Sequence, residues 1–223
     1  MESRSFENLL KTDIETVFTE ILKDLDHTLP LSSRSEKNTK IRNRLKECFS
    51  KYIIENSHPR IYNCSCSAPG SKKSPYDICI NYKTDDGAFD DLIWCNIKIL
   101  NDSFDDENPN LGNAEDVISF IKDGHFYVVS VILLCESDDN NGTVFVDFNN
   151  EKYAQCQLLK DIFVTFRIDE NQQFQVNILD PEDYRTSEQF LELFRERYTG
   201  ASTETFDDLK KCLSSYAAKM NLT

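Results

Sequence analysis

The chain has 223 residues, of which 39% are hydrophobic and 11% aromatic, and it carries a formal net charge of −14. That length suits one domain with a sizeable core, and the composition excludes a disordered or collagen-like chain. The acid excess argues against a uniformly basic surface, but the charge is uneven: residues 34–75 hold ten Lys or Arg against three Glu, a local +7, so the remainder carries −21.

No apolar run approaches the roughly 20 residues that span a bilayer, and the mixed-charge opening MESRSFENLL is not a secretory signal. Several of the eight cysteines (Cys48, Cys79, Cys135, Cys212) lie inside apolar periodic segments, where a reduced thiol packs as a small hydrophobe. We therefore expect a cytoplasmic protein without a disulfide framework or membrane partner. Cys64-x-Cys66 lacks the spacing and the second pair of a zinc knuckle.

In chain order, Phe6, Leu9, Leu10, Ile14, Val17, Phe18, Ile21, Leu22 and Leu25 recur at helical spacing and predict a first helix over residues 5–27. A second helix is expected over about 36–55. Its apolar stripe is Ile41, Leu45, Cys48, Phe49, Tyr52 and Ile53, and its Lys and Arg lie mostly off that stripe. Residues 56–75, NSHPRIYNCSCSAPGSKKSP, read as a loop. Two alternating apolar runs then flank Asp86-Gly87. The acidic stretch 102–107 lacks the spacing of a calcium loop and reads as solvated. A short helix follows, capped by Asn113 and with Glu115 and Asp116 at its start.

The run 126–135, FYVVSVILLC, predicts a strand buried on both faces. Further strands are expected at 143–148, 162–168 and 173–179. Thr186-x-x-Gln189 resembles a capping box for a helix over 187–198. Phe206, Leu209, Cys212, Leu213, Tyr216 and Met220 mark a last helix. The fold class is therefore α/β (α+β), a mixed central β-sheet flanked by helices, with one domain over 1–223. Within it we distinguish an N-terminal helix (1–30), a core (36–135) that holds the candidate site described next, and a closing part of strands and helices (136–223).

Folding the chain about Asp86-Gly87 pairs positions whose numbers sum to 173. Tyr76, Ile78 and Ile80 then face Ile97, Cys95 and Ile93. Asp77, Cys79 and Asn81 face Asn96, Trp94 and Leu92. Side chains alternate with period two, so Asp77, Asn96 and Lys98 share one face. A hard divalent cation takes oxygen ligands, and Mg²⁺ is commonly held by one or two carboxylates plus waters and phosphate oxygens. Asp77, the Asn96 side-chain oxygen and the Ile97 carbonyl can be ligands. Lys98 can orient or deprotonate a water and offset charge on a phosphate. A plain cross-strand Asp–Lys pair, contributing about 0.2–1 kcal/mol, is the structural alternative.

Pro75-Tyr76-Asp77 … Asn96-Ile97-Lys98 resembles the PD-(D/E)xK nuclease superfamily, and within it the type II restriction endonucleases. The preceding basic helix, the hairpin, the capped helix and the hydrophobic strand resemble its α-β-β-β-α-β core. Two departures stand out: one residue separates Pro75 from Asp77, and Asn96 replaces the second acid. Glu36 and Glu47 on the basic helix are candidates to replace it, though their helical phase points away. The resemblance implies a restriction-endonuclease-like core, Mg²⁺-dependent cleavage of double-stranded DNA at a short site, and a homodimer.

Phosphate contacts are then expected from Arg42, Arg44, Lys51, Arg60, Lys72 and Lys73. The amide-rich turns 139–142 and 171–175 read as solvated. His58 could touch a phosphate, whereas His125 reads as a satisfied strand-edge residue. No Gly-rich phosphate loop is present, so no nucleotide cofactor is expected. The rival reading is an acidic binding or DNA-mimic inhibitor protein, or a nuclease fold that has lost cleavage.

Overall fold

In a computed structural model the described residues are 3–30, 37–68, 74–101, 110–137, 142–148, 151–177 and 180–220. Helix α1 runs over Ser3–Asp24 and α2 over Lys37–Asn56. The first ends three residues before the predicted boundary. Asp26 and His27 take positive φ (49° and 59°), which turns the chain out of the helix and into a short strand, β1, Thr28–Pro30. The two helices pack through their apolar stripes, with the Phe18 and Phe49 rings 5.1 Å apart.

The expected loop at 56–75 needs correction. Ile61–Cys66 is a strand, β2, paired antiparallel with β3, Ile78–Lys83. It lies at the edge of the sheet and most of its side chains face solvent, so its sequence shows no apolar alternation. Strand β3 turns through residues 84–89 into β4, Asp90–Asn101. Gly87, at φ +66°, supplies the left-handed position of that turn, which the Asp86 side chain braces by accepting from Thr84 Oγ1 and Ala88 N.

Strand β5, Asn110–Asn113, leads into α3, Ala114–Lys122. The Asn113 side chain caps α3 as its sequence predicts, accepting from Glu115 N and Asp116 N. The buried run becomes β6, Val128–Ser137, which pairs parallel with β4. Strand β7, Gly142–Val146, and β8, Gln155–Leu158, both pair antiparallel with β6.

The strand expected at 162–168 is a second correction. Only Arg167–Ile168 (β9) is extended, and it joins β10, Gln173–Gln175, and β5 in a separate three-stranded sheet. Ile162 and Phe166 are buried there without strand pairing, so an apolar run signals burial more than it signals a strand. Helices α4, Ser187–Arg197, and α5, Thr203–Lys219, close the chain. The Thr186–Gln189 capping box forms in full.

The main sheet has the order β1-β7-β6-β4-β3-β2, with β8 also on β6, and it is mixed because β4 and β6 run parallel. Helix α1 covers the isoleucine face of the hairpin: Phe6 packs on Tyr82 and Phe89, and Asp13 accepts from the Tyr82 hydroxyl at 2.7 Å. Helix α3 covers the opposite face, where Phe120 stacks on Trp94 at 3.8 Å. The architecture is thus the mixed α/β fold that the sequence predicts. In chain order α2 is followed by β2, β3, β4, β5, α3 and β6, with β2 and β5 both unanticipated in the sequence. Among the described residues no helix is long and apolar enough to cross a membrane, and no disulfide joins the eight cysteines.

Candidate active site

The hairpin pairs in the register the sequence predicts, Ile78 with Cys95, Cys79 with Trp94, Ile80 with Ile93 and Asn81 with Leu92. Asp77 stands just before β3 and extends the ladder in two ways. Its N–H donates to the Cys95 carbonyl at 3.0 Å, and its carboxylate accepts from Ile97 N at 2.8 Å. The Asp77 side chain is therefore fixed against β4, beside Asn96 and Lys98.

Strand β5 lies across those two residues. Asn96, 7% exposed, donates its amide N–H to the Leu111 carbonyl at 3.2 Å, and Lys98 Nζ donates to the Asn110 carbonyl. Gly112 takes φ +155°, a conformation that side-chain-bearing residues rarely adopt, whereas space is not the constraint, since a Cβ there would only touch Asn96 Nδ2 at 4.0 Å. With Nδ2 given to Leu111, the Asn96 oxygen remains as the acceptor of that amide.

These side chains form part of a cleft of about 510 Å³. Thr39, Arg42 and Lys46 of α2 line it from one side, and Asp116 of α3 lines it from the other. Lys46 is almost fully buried, and its ammonium donates to Ser67 O and Ser67 Oγ at 3.2 and 3.0 Å. Burial, with Glu115 alongside, raises the Asp116 carboxyl above its ordinary range.

Neither Lys46 nor Asp116 stands out in the sequence as a site residue. Lys46 is one of several Lys and Arg on an amphipathic helix. Asp116 reads as an ordinary acid in a first helical turn, which its neighbour Glu115 also is. Only the fold brings them to the hairpin.

The predicted phosphate contacts separate. Arg42 lines the cleft. Arg44 pairs with Glu47 at 3.4 Å and Lys51 with Glu55 at 3.8 Å, on exposed parts of α2 that do not line it. Arg60 is committed elsewhere. Its guanidinium makes two 2.5 Å bonds to Asp13 and a third, at 3.1 Å, to Asp85, so its role is to tie β2 to α1. Lys72, Lys73, Glu36, the acidic stretch 102–107 and most of the turn 139–142 lie outside the described residues. Glu47 lines other surface hollows and not the cleft.

Two of the three histidines, His58 and His125, are occupied by the fold. His125 Nδ1 lies 2.5 Å from Asp91, at the start of β4. His58 Nδ1 accepts from the backbone N–H of Arg60 and Ile61 at 3.2 and 3.0 Å, and burial holds its imidazole below the ordinary value of 6.5. Both bonds need the neutral ring. The unfolded chain takes up the proton near 6.5 and the folded chain does not. This contribution to stability is therefore complete above that pH and is lost as pH falls below it. The thermal midpoint should drop between about pH 7 and pH 5.5, and should drop less in His58→Asn, whose amide oxygen can accept without titrating. Equal drops would contradict the assignment.

Among the described residues no group of three or more His, Cys, Asp or Glu is placed to hold a metal, so Cys64-x-Cys66 has no zinc partners there. The hairpin offers a different set. Asp77 gives a carboxylate and Asn96 an amide oxygen. The Ile97 carbonyl lies on the strand edge that its N–H shares with Asp77, since one residue of an antiparallel ladder points both groups the same way. All are hard oxygen donors, few in number, with open cleft beside them. That suits Mg²⁺, which keeps several waters, and not zinc.

The chain is thus a mixed α/β protein that carries a carboxylate, an amide and an ammonium on one hairpin face within a polar cleft. Similarity to known proteins makes this specific. The SwaI-like family of restriction endonucleases (SwaI restriction endonuclease) matches residues 2–215, and the chain belongs to that family. Among solved structures the chain is similar to the NlaIV restriction endonuclease, with a TM-score of 0.49 and 10% identity over 92% of this chain and 87% of that one. No curated protein matches its sequence.

Proposed function

We propose that this protein is a Mg²⁺-dependent, sequence-specific endonuclease that hydrolyses phosphodiester bonds of double-stranded DNA, a type II restriction enzyme acting as a homodimer. Asp77, Asn96 and Lys98 form its catalytic centre. The observation that carries the reading is the convergence of these three side chains in one cleft beside basic α2, in a chain of the SwaI restriction endonuclease family.

Asp77, the Asn96 oxygen and the Ile97 carbonyl would hold the ion, which supplies Lewis acidity toward a phosphate and its attacking water. The protein does the rest. Ile97 N–H fixes the Asp77 carboxylate. The Asn110 carbonyl positions the Lys98 ammonium, which offsets charge on the scissile phosphate and holds or moves the proton of the attacking water. Arg42 and Lys46 supply positive charge to flanking phosphates from the other wall. A two-fold dimer would match a palindromic site.

Digestion of several long duplex DNAs of unrelated sequence in Mg²⁺ tests the reading. Discrete fragments are expected; intact DNA with both Mg²⁺ and Mn²⁺ would favour a fold that has lost cleavage. For DNA binding without metal, Arg42→Ala should weaken affinity and lower the slope of log K against log salt by about one. Arg60→Ala should leave that slope unchanged. An Arg42→Ala slope equal to that of the unaltered protein would remove Arg42 from the DNA path.

A further inference from the structure

We infer that Asp116, in the first turn of α3, supplies the cleft's second carboxylate, in place of the acid that Asn96 replaces in the hairpin motif. The inference rests on the nuclease reading and assigns the residue that completes its metal site.

Asn96 removes a negative charge from the position where a second acid is expected, and the affinity of an oxygen-donor site for a divalent ion falls with the charge of its ligands. Neither acid of α2 lines the cleft: Glu47 pairs with Arg44 and Glu55 with Lys51 on its exposed side. Asp116 is placed to compensate. It is half-buried, and it lines the same cleft as Asp77, Asn96 and Lys98. Its approach is fixed by the chain itself. Strand β5 is bonded to Asn96 through Leu111 and to Lys98 through Asn110, and three residues beyond its end Asp116 N donates to the Asn113 cap. The residues that hold the hairpin's amide and ammonium therefore also set the start of α3.

An acid in a first helical turn also serves the helix dipole. Glu115 shares that turn, is exposed and does not line the cleft, so it is the control for that role. No described cation forms an ion pair with the Asp116 carboxylate, whose surroundings are instead the polar wall of the cleft.

Terbium luminescence provides the test, because the tryptophan that sensitises it is close by. Trp94 lies 5.6 Å from the ring of Tyr76, which lines the cleft. Tb³⁺, a hard oxygen-seeking ion, is titrated into the full-length protein and its variants, and folding is checked by circular dichroism. Asp77→Asn and Asp116→Asn are each expected to weaken Tb³⁺ binding about ten- to a hundredfold, and Glu115→Gln to leave it unchanged. Adding Asn96→Asp to Asp116→Asn should restore binding, which a helix-dipole role would not do.

If Asp77→Asn weakens binding while Asp116→Asn does not, the assignment of Asp116 is overturned and the nuclease reading stands. Asp116 is likewise ruled out if Glu115→Gln weakens binding as much as Asp116→Asn, or if Asn96→Asp fails to restore it. If the unaltered protein shows no sensitised binding at all, the metal site itself is refuted together with Asp116.

Discussion

Asp77→Ala should lower DNA cleavage by about a thousandfold or more while leaving the fold and the DNA affinity measured without metal close to normal. The residue is half-buried at the mouth of the hairpin, and in the fold its carboxylate serves to accept one backbone bond from Ile97. Its loss therefore costs about one ordinary hydrogen bond of stability. The effect on cleavage should be far larger, because in the proposed site the carboxylate anchors the oxygen-donor set. Lys98→Ala should fall by roughly 10²–10⁴-fold, the range for loss of a positioned proton-transfer group. Single-turnover rates on a cut substrate, compared with melting curves, separate the two quantities. Cleavage by Asp77→Ala within a few-fold of the unaltered protein would refute the site.

The largest expected effect on stability lies on the other face of the sheet. Asp13 is 5% exposed and accepts three bonds, two from Arg60 and one from Tyr82, whose side chain is fully buried. Asp13→Ala leaves a buried hydroxyl without its acceptor and the largely buried guanidinium with Asp85 alone, and should cost about 3–5 kcal/mol. For a chain of this size that lowers the thermal midpoint by roughly 10 °C. Tyr82→Phe removes one bond and its donor together, so it should cost only about 1 kcal/mol. A loss in Asp13→Ala no greater than in Tyr82→Phe would show that the Arg60 pair contributes nothing, as exposed ion pairs often do.

The same two faces explain what the sequence could disclose. The hairpin register is legible because Ile78, Ile80, Ile93 and Ile97 alternate with polar residues about a turn dipeptide, and a one-residue slip would bury Asp77 and Asn96 among them. Asn113 and Thr186 are legible for a similar reason, since a cap is a short-range signal written in neighbouring residues. Strand β2 carries no such signal. As an edge strand it exposes most of its side chains, so the sequence IYNCSC need not alternate.

Strand β5, NLGN, is four residues long and mostly polar, yet it holds Asn96 and Lys98 in place through its carbonyls. Backbone acceptors leave no trace in side-chain pattern, so this support was hidden although the shared face of Asp77, Asn96 and Lys98 was not. Arg60 shows the converse limit. Its charge placed it among the phosphate contacts, and its real partner, Asp13, stands 47 positions earlier on another helix. Asp116 and Lys46 come to one cleft only in the fold, and no local spacing could have joined them to Asp77.

The most direct test of the central claim is to sequence every fragment end after Mg²⁺ digestion of a long duplex DNA by the unaltered protein and by Asp77→Ala. One short sequence shared by all ends from the unaltered protein, and none from the variant, is the predicted result. Ends without a common sequence, or the same ends from Asp77→Ala, would contradict a site-specific endonuclease built on this hairpin.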